Sequence, residues 1–294
     1  MASITEFDIV FLSLDEINAE KNWADLSEKA PWSKRVHGVK GFDAAHRACA
    51  EASETDWLIT VDADNIVRPE FFDIVIDDKE FVRTKCMSWN GLNAINGLSY
   101  GNGGLKLWRK SFLLEMACHE LSENPQHVDF CWESGYKNML RTYSDVYNNA
   151  SPYQAFRVGF REGVKLSLDR GERISGEMMK TLLHPVNLRN LRIWSCVGAH
   201  VENGLWAMYG ARLAWSMMLD TDWDHGVVKD YDWFDKFWIT YANRFANYSQ
   251  PDDIFRKTLT ELGNEIERKT RIKIPMLSED VSSFFKDTYT YRNE

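Results

Sequence analysis

The sequence predicts an α/β protein, a mostly parallel sheet with helices on both faces, followed by a mostly helical region. Two observations carry this. Strand and helix patterns alternate through about the first 65 residues, and the strands are apolar runs rather than alternating ones, as expected for strands covered on both faces. From Ser151 the apolar residues recur at helical spacing instead. A soft boundary near residue 150 therefore separates 1–150 from 151–294.

FDIVFLS (Phe7 to Ser13) reads as the first strand, Trp23 to Lys29 as a short helix and KRVHGV (Lys34 to Val39) as a second strand. Gly41 opens FDAAHRACAEAS, in which Ala44, Ala45, Ala48 and Cys49 make one apolar helix face. WLITV follows as the third strand. Such an order implies right-handed crossovers and a parallel sheet. After Pro69, EFFDIVI reads as a short helix or strand. The glycines and asparagines of KCMSWNGLNAING suggest turns, GLKLW a strand, and SFLLEMACHEL a helix capped by Ser111. Beyond Ser151 come YQAFRVGFREGVKLSL, GEMMKTLL and the long ENGLWAMYGARLAWSMML.

The 294 residues, 44% of them hydrophobic, suffice for a sizeable core. No apolar run approaches the roughly 20 residues that cross a bilayer, and MASITEFDIV lacks a signal-peptide layout, so a cytosolic location is expected and no membrane partner. Five scattered cysteines, Cys49, Cys86, Cys118, Cys131 and Cys196, have no zinc or disulfide spacing and read as reduced. A net charge of −9 argues against coating nucleic acid through bulk electrostatics. The distribution is uneven: from Ser151 to Trp215 nine basic and five acidic residues leave 9 − 5 = +4.

WLITVDADNIV carries the chemistry. Its strand stops at Asp62, and Asp64 follows after one small residue. Ligands of open α/β sheets collect beyond the carboxyl ends of strands, and residues i and i+2 of extended chain project to one side. Two unneutralised acids there repel. Mn²⁺ or Mg²⁺ removes the conflict, because either takes oxygen ligands and joins carboxylates to a substrate's phosphates. The plainer reading is a turn in which Asp62 caps and Asp64 and Asn65 continue.

The order FDIVFLSLDE, GFDAAHRACAEA, WLITV, DADN resembles the nucleotide-diphospho-sugar glycosyltransferases of the GT-A fold over about residues 5 to 140. The resemblance implies a metal on Asp62 and Asp64 bridging the diphosphate of a sugar donor, a UDP-sugar first among the candidates. It places Ser13, Asp15 and Glu16 near the nucleoside, and Lys40, His46 and Arg47 near base, ribose or phosphate. It also implies an acceptor-side acid, for which QHVDFCW supplies Asp129. Flanked by Val128 and Phe130, that acid would hold its proton more tightly and suit a general base, although Val128 stands where the family's usual neighbouring acid would be. Asp129 reads equally as a helix cap. In SYGNGGLKLW, Gly103 and Gly104, with Gly101, let the backbone approach a sugar, while Trp89 and Asn90 would pack and hydrogen-bond it. A tryptophan is more often core than ligand wall.

In the second half, His200 in CVGAHVENGLW is the candidate for a late metal or phosphate contact, ahead of His119, Glu120 and His184, with a core histidine as the plainer reading. Arg157, Arg161 and Lys165 recur every four residues on one helix face. Acids such as Glu162 would satisfy that ladder internally. A polyanionic acceptor is the functional alternative. The chain is also similar to sugar-transferase-like proteins of large tailed bacteriophages, in LSLDEINAEKNW, KRVHGVKG, the aspartate pair and VDFCW. That similarity implies double-stranded DNA carrying hydroxymethylcytosine as acceptor, in the host cytoplasm, with Arg157, Arg161 and Lys165 as contacts. Rival readings are a nucleotidyltransferase, whose glycine- and arginine-rich loop FLSLDEINAE lacks, a polysaccharide or protein glycosyltransferase, and a non-catalytic sugar- or DNA-binding module.

Overall fold

The computed structural model describes residues 1–100, 104–123, 134–219, 223–242, 244–245 and 252–284. Contacts divide the chain into two compact units, Met1–Ala94 with Ser99–Tyr147, and Ile95–Leu98 with the described chain from Asn148.

The first unit is built on an eight-stranded sheet. Its strands are β1 (Asp8–Ser13), β2 (Lys34–His37), β3 (Trp57–Asp62), β4 (Asn65–Val67), β5 (Cys86–Asn93), β6 (Ser99–Tyr100), β7 (Leu105–Arg109) and β8 (Tyr136–Val146). The spatial order is β2-β1-β3-β7-β5-β8-β4, with β6 paired to β5. Strands β1, β2, β3, β5 and β8 run one way, and β4, β6 and β7 run against them. The sheet is therefore mixed though mostly parallel. The expected run of parallel strands is interrupted by β7, which lies antiparallel between β3 and β5. CMSWNGLN, expected as turns, is the long interior strand β5.

Alternation along the strands builds two cores. Ile9, Phe11, Ile59, Val61, Met87, Leu105 and Leu107 pack with Leu26 of α1 (Ala19–Lys29) on one face. Val10, Leu58, Cys86 and Trp108 pack on the other against Cys49 and Ala50 of α2 (Phe42–Ala52) and Leu113 of α3 (Lys110–Glu115). Helices thus cover both faces. The α3 helix is shorter than SFLLEMACHEL suggests, and its N-cap residue is Arg109, not Ser111. EFFDIVI resolves into a 3₁₀ turn at Pro69–Asp73 and a two-residue strand at Val75–Ile76, which pairs with Ala2–Ser3.

The second unit is largely helical: α4 (Pro152–Leu166), α5 (Pro185–Cys196), α6 (Gly204–Met218), α7 (Tyr231–Ala242) and α8 (Asp253–Thr270), with a short helix at Met179–Leu182. Helices α4 and α6 cross at their glycines. A Cβ built on Gly159 would stand 2.0 Å from the Ala207 carbonyl oxygen, and one on Gly210 2.2 Å from that of Phe156. Around this crossing lies an aromatic core, with Phe160 against Phe237 at 4.9 Å and Trp206 against Phe255 at 4.6 Å. Among the described residues no helix is long and apolar enough to cross a membrane. Cys49, Cys86, Cys118 and Cys196 are free and buried.

Candidate functional site

The acidic turn sits where β3 leaves the sheet. Asp62 pairs with Leu12 of β1, and its N–H donates to the Gly104 carbonyl at 3.1 Å. The next two carbonyls are also held: Asn22 donates to Ala63 at 2.7 Å and the Tyr147 N–H to Asp64 at 2.7 Å. Asn65 then enters β4, opposite Val146. With its backbone tied to β7, α1 and the end of β8, the turn fixes where its side chains point.

Those side chains are short of donors. Asn65 donates its amide N–H to Asp64 Oδ1 at 2.7 Å, which turns its own Oδ1 away as a bare acceptor. Asn65 Oδ1 and Asp62 Oδ1 are both buried and have no hydrogen-bond partner. Gly104, at φ 71°, lies alongside, and a Cβ there would stand 2.6 Å from both Asp62 Oδ2 and Asn65 Nδ2. Burial, then the charges of Asp62 and Glu16, push the Asp64 carboxyl up to about 7, against the opposing effects of the Asn65 hydrogen bond and the Lys106 charge. Two orphaned acceptors beside an acid that resists ionising are a donor set deficient in positive charge, and the residues fit a divalent oxygen-seeking cation. Among the described residues no three His, Cys, Asp or Glu side chains form a ready-made metal set. A cation here would complete its shell from substrate and water.

Two further groups belong to this region. Lys106 on β7 is only 3% exposed, pairs across the sheet with Thr60 and Ser88, and acts electrostatically on both Asp64 and His46. Sequence reasoning missed Lys106 and Asn65. The signal for Lys106 was a lysine in an otherwise apolar strand, GLKLW, and for Asn65 its place directly after the doublet. His46 of α2 is buried, and burial lowers its proton affinity against the opposing charge of Asp62.

The remaining expected residues are placed as follows. Ser13 Oγ accepts from Arg35 Nε at 3.0 Å and lies 3.0 Å from His37 Nδ1. Glu16 accepts from the Leu14 N–H at 2.8 Å, and Asp15 is exposed. Lys40 is exposed, while Arg47 is half-buried with an unpartnered Nε. Trp89 is 1% exposed and packs edge-on to Phe71 at 5.0 Å, so it belongs to the core and offers no open face to a sugar. Asn90 donates to the Leu140 carbonyl at 2.9 Å. Asp129 and Gly103 lie outside the described residues.

The start of α2 is filled by protein. Glu120 accepts from the Phe42 and Ala44 N–H groups at 3.0 and 2.9 Å. Asp43, fully buried, accepts in return from the N–H groups of Cys118, His119 and Leu121 at 3.0, 2.9 and 3.0 Å. His119 stacks on Phe42 at 3.8 Å. The exchange explains His119 and Glu120 structurally.

In the helical unit, Arg157 lies over the Tyr231 ring at 3.9 Å and Lys165 pairs with Glu162 at 2.5 Å, while Arg161 is half-buried. His200 is half-buried with an unpartnered Nδ1, and His184 caps α5, accepting from the Val186 N–H at 3.3 Å.

Fold and site together define a mixed α/β sheet unit with an acidic turn at a strand's carboxyl end. No protein-family model matches the chain, and no curated protein does. Among solved structures it is distantly similar to HddC from Yersinia pseudotuberculosis, at 12% identity and TM-score 0.28, over 46% of this chain and 70% of that one. A second match is the bifunctional IspDF from Campylobacter jejuni, at 12% identity and TM-score 0.27, over 45% and 48%. Likenesses this weak leave the function to be argued from the site.

Proposed function

We propose that the chain is a metal-dependent glycosyltransferase that moves a sugar from a nucleoside-diphosphate donor, a UDP-sugar first, to an acceptor hydroxyl. The observation that carries this is the pair of orphaned acceptors, Asp62 Oδ1 and Asn65 Oδ1, beside Asp64 and under the bare backbone of Gly104. Bound Mn²⁺ or Mg²⁺ would supply positive charge to the leaving diphosphate. Asp62 and Asp64, with Asn65, would hold it. Lys106, which acts on Asp64, would add positive charge for the same phosphates, and Glu16, which also acts on Asp64, would face the nucleoside with Ser13 and Asp15. Lys40 and Arg47 would approach ribose or phosphate, and Asp129 would take the acceptor proton if the outcome is inversion.

For the acceptor we propose hydroxymethylcytosine in duplex DNA, supported by the excess of +4 between Ser151 and Trp215 (9 − 5). One observation favours a glycan or protein acceptor instead: Arg157 and Lys165 have the internal partners Tyr231 and Glu162. The test incubates the protein with Mn²⁺ and a panel of nucleotide sugars, with and without hydroxymethylcytosine DNA or glycans, and measures nucleoside diphosphate release. DNA-stimulated release abolished by chelator is expected. Release only with glycans removes the DNA acceptor, and release unchanged in chelator or in Asp62→Ala removes the metal-dependent enzyme.

A further inference from the structure

His37, exposed at the carboxyl end of β2, has its ring fixed by two neighbours. Phe11 and Ser13 of β1 stand opposite Arg35 and His37 in the sheet, so the four side chains share one face. Arg35 is held along its length. Its Nε donates to Ser13 Oγ at 3.0 Å and a terminal nitrogen to Glu20 Oε1 at 2.6 Å, with the guanidinium 5.8 and 6.0 Å from the rings of Phe11 and Trp23. Ser13, only 2% exposed, brings its Oγ to 3.0 Å from His37 Nδ1, and the same terminal nitrogen of Arg35 stands 3.5 Å from that ring atom.

A guanidinium only donates. Arg35 therefore takes one lone pair of Ser13 Oγ and points hydrogen toward Nδ1, which leaves Nδ1 as the acceptor of the Ser13 O–H. In the neutral ring Nε2 then carries the proton. Among the described residues no protein group accepts from Nε2. The chain beside it is bare: Gly38, at φ 79°, donates its N–H to the Ser13 carbonyl at 3.0 Å, and a Cβ there would meet nothing within 4 Å. Water satisfies either tautomer of an exposed imidazole, so holding this one gives the ring a direction. The result is one N–H donor of fixed place, open to solvent, at a strand end where open α/β sheets bind ligands.

We infer that His37 reads the base of the nucleotide donor, its Nε2–H donating to a ring carbonyl, so that uracil or guanine is taken over cytosine or adenine. Uracil and guanine carry a carbonyl where cytosine and adenine carry an amino group. An amino group sets donor against donor, and both go unpaired. The inference rests on the nucleoside-diphosphate reading above and supplies the residue that would choose the base, with Ser13 and Arg35 as positioning residues behind it.

The test titrates the intact protein, with Mn²⁺ at about pH 8, where histidines are generally neutral, against UDP and CDP and against IDP and ADP, pairs that exchange one carbonyl for an amino group. UDP and IDP are expected to bind about tenfold tighter than CDP and ADP. His37→Ala should bring each pair within about twofold by weakening UDP and IDP. Long-range ¹H–¹⁵N correlation on histidine-labelled protein should show His37 protonated at Nε2 and bare at Nδ1. Ser13→Ala, which removes the hydroxyl that orients the ring, should populate the other tautomer and narrow the gap between UDP and CDP. Pairs bound equally or in the reverse order, a preference that survives His37→Ala, or a ring protonated at Nδ1 overturns the inference and leaves the nucleotide-donor reading standing. No binding of any of the four nucleotides overturns both.

Discussion

Gly104 and Asp62 meet through backbone and side chain at once. The Asp62 N–H donates to the Gly104 carbonyl at 3.1 Å, while a Cβ on Gly104 would stand 2.6 Å from Asp62 Oδ2. At φ 71° the position also disfavours any L side chain. Gly104→Ala is therefore expected to cost about 1–3 kcal/mol and to push the Asp62 carboxylate aside. Urea unfolding should show the loss, and Mn²⁺ titration should show weaker binding. A variant as stable as wild type with unchanged Mn²⁺ affinity would contradict the cradle described here.

Asp64 makes stability depend on pH. Burial with the charges of Asp62 and Glu16 pushes its carboxyl up to about 7 in the folded protein. The unfolded chain releases that proton near the ordinary value of about 4, so between about pH 4 and 7 the unfolded state binds fewer protons. Stability from this group is full below that window, falls as pH rises through it and levels off above. Asp64→Asn should remove that slope, so the variant gains on wild type in unfolding midpoint from pH 4 to 7. A cation beside the doublet favours the charged carboxylate, and Mn²⁺ affinity should rise over the same range. A difference between the two proteins that does not vary with pH would refute the assignment.

Asp43 ties the chain beyond α3 to the start of α2. A fully buried carboxylate accepting three N–H groups gains most from its charge, and an amide in its place turns a donor toward those donors. Asp43→Asn is expected to cost about 2–3 kcal/mol. Glu120→Ala should cost less, about 1 kcal/mol, because the exposed Phe42 and Ala44 N–H groups can turn to water. Thermal unfolding of the two variants tests the order. Equal losses would mean the exchange is not the anchor.

These contacts mark how far the sequence could be read. Strands β1 and β3 were legible because FDIVFLS and WLITV are unbroken apolar runs. Strand β5 was not, because Ser88, Asn90 and Asn93 are buried polar residues, and glycine and asparagine in CMSWNGLN mimic a turn until neighbouring strands supply the ladder. Strand β8 lacks any apolar run, since most of YKNMLRTYSDV is half-buried or exposed, and it breaks register around Leu140 at φ 65°. The acidic doublet could be found from its place after β3. Lys106 stood out only as a lysine in the apolar run GLKLW, and only the insertion of β7 beside β3 brings it to the doublet. The helix α5 did carry signals that sequence reading passed over, Pro185 at its first turn and His184 as its cap.

The segment AFRVGFREGVK was read through its charges, yet its glycines fix the packing. On helix propensity alone, Gly159→Ala should stabilise α4 by up to about 1 kcal/mol. The geometry opposes this: the added carbon would stand 2.0 Å from the Ala207 carbonyl oxygen, and Gly163 meets the Ala211 carbonyl oxygen at 2.7 Å in the same way. A backbone oxygen cannot rotate away as a side chain can, so α4 and α6 must separate. Buried neighbours such as Phe156 and Trp206 then lose contact. The expected result is a net loss of about 3 kcal/mol, the upper range for overpacking. Ala207→Gly should not rescue it, because the clash is with backbone. Unfolding of the single and double variants decides the sign: a stabilised Gly159→Ala, or full rescue by Ala207→Gly, would show that the helices do not cross this closely.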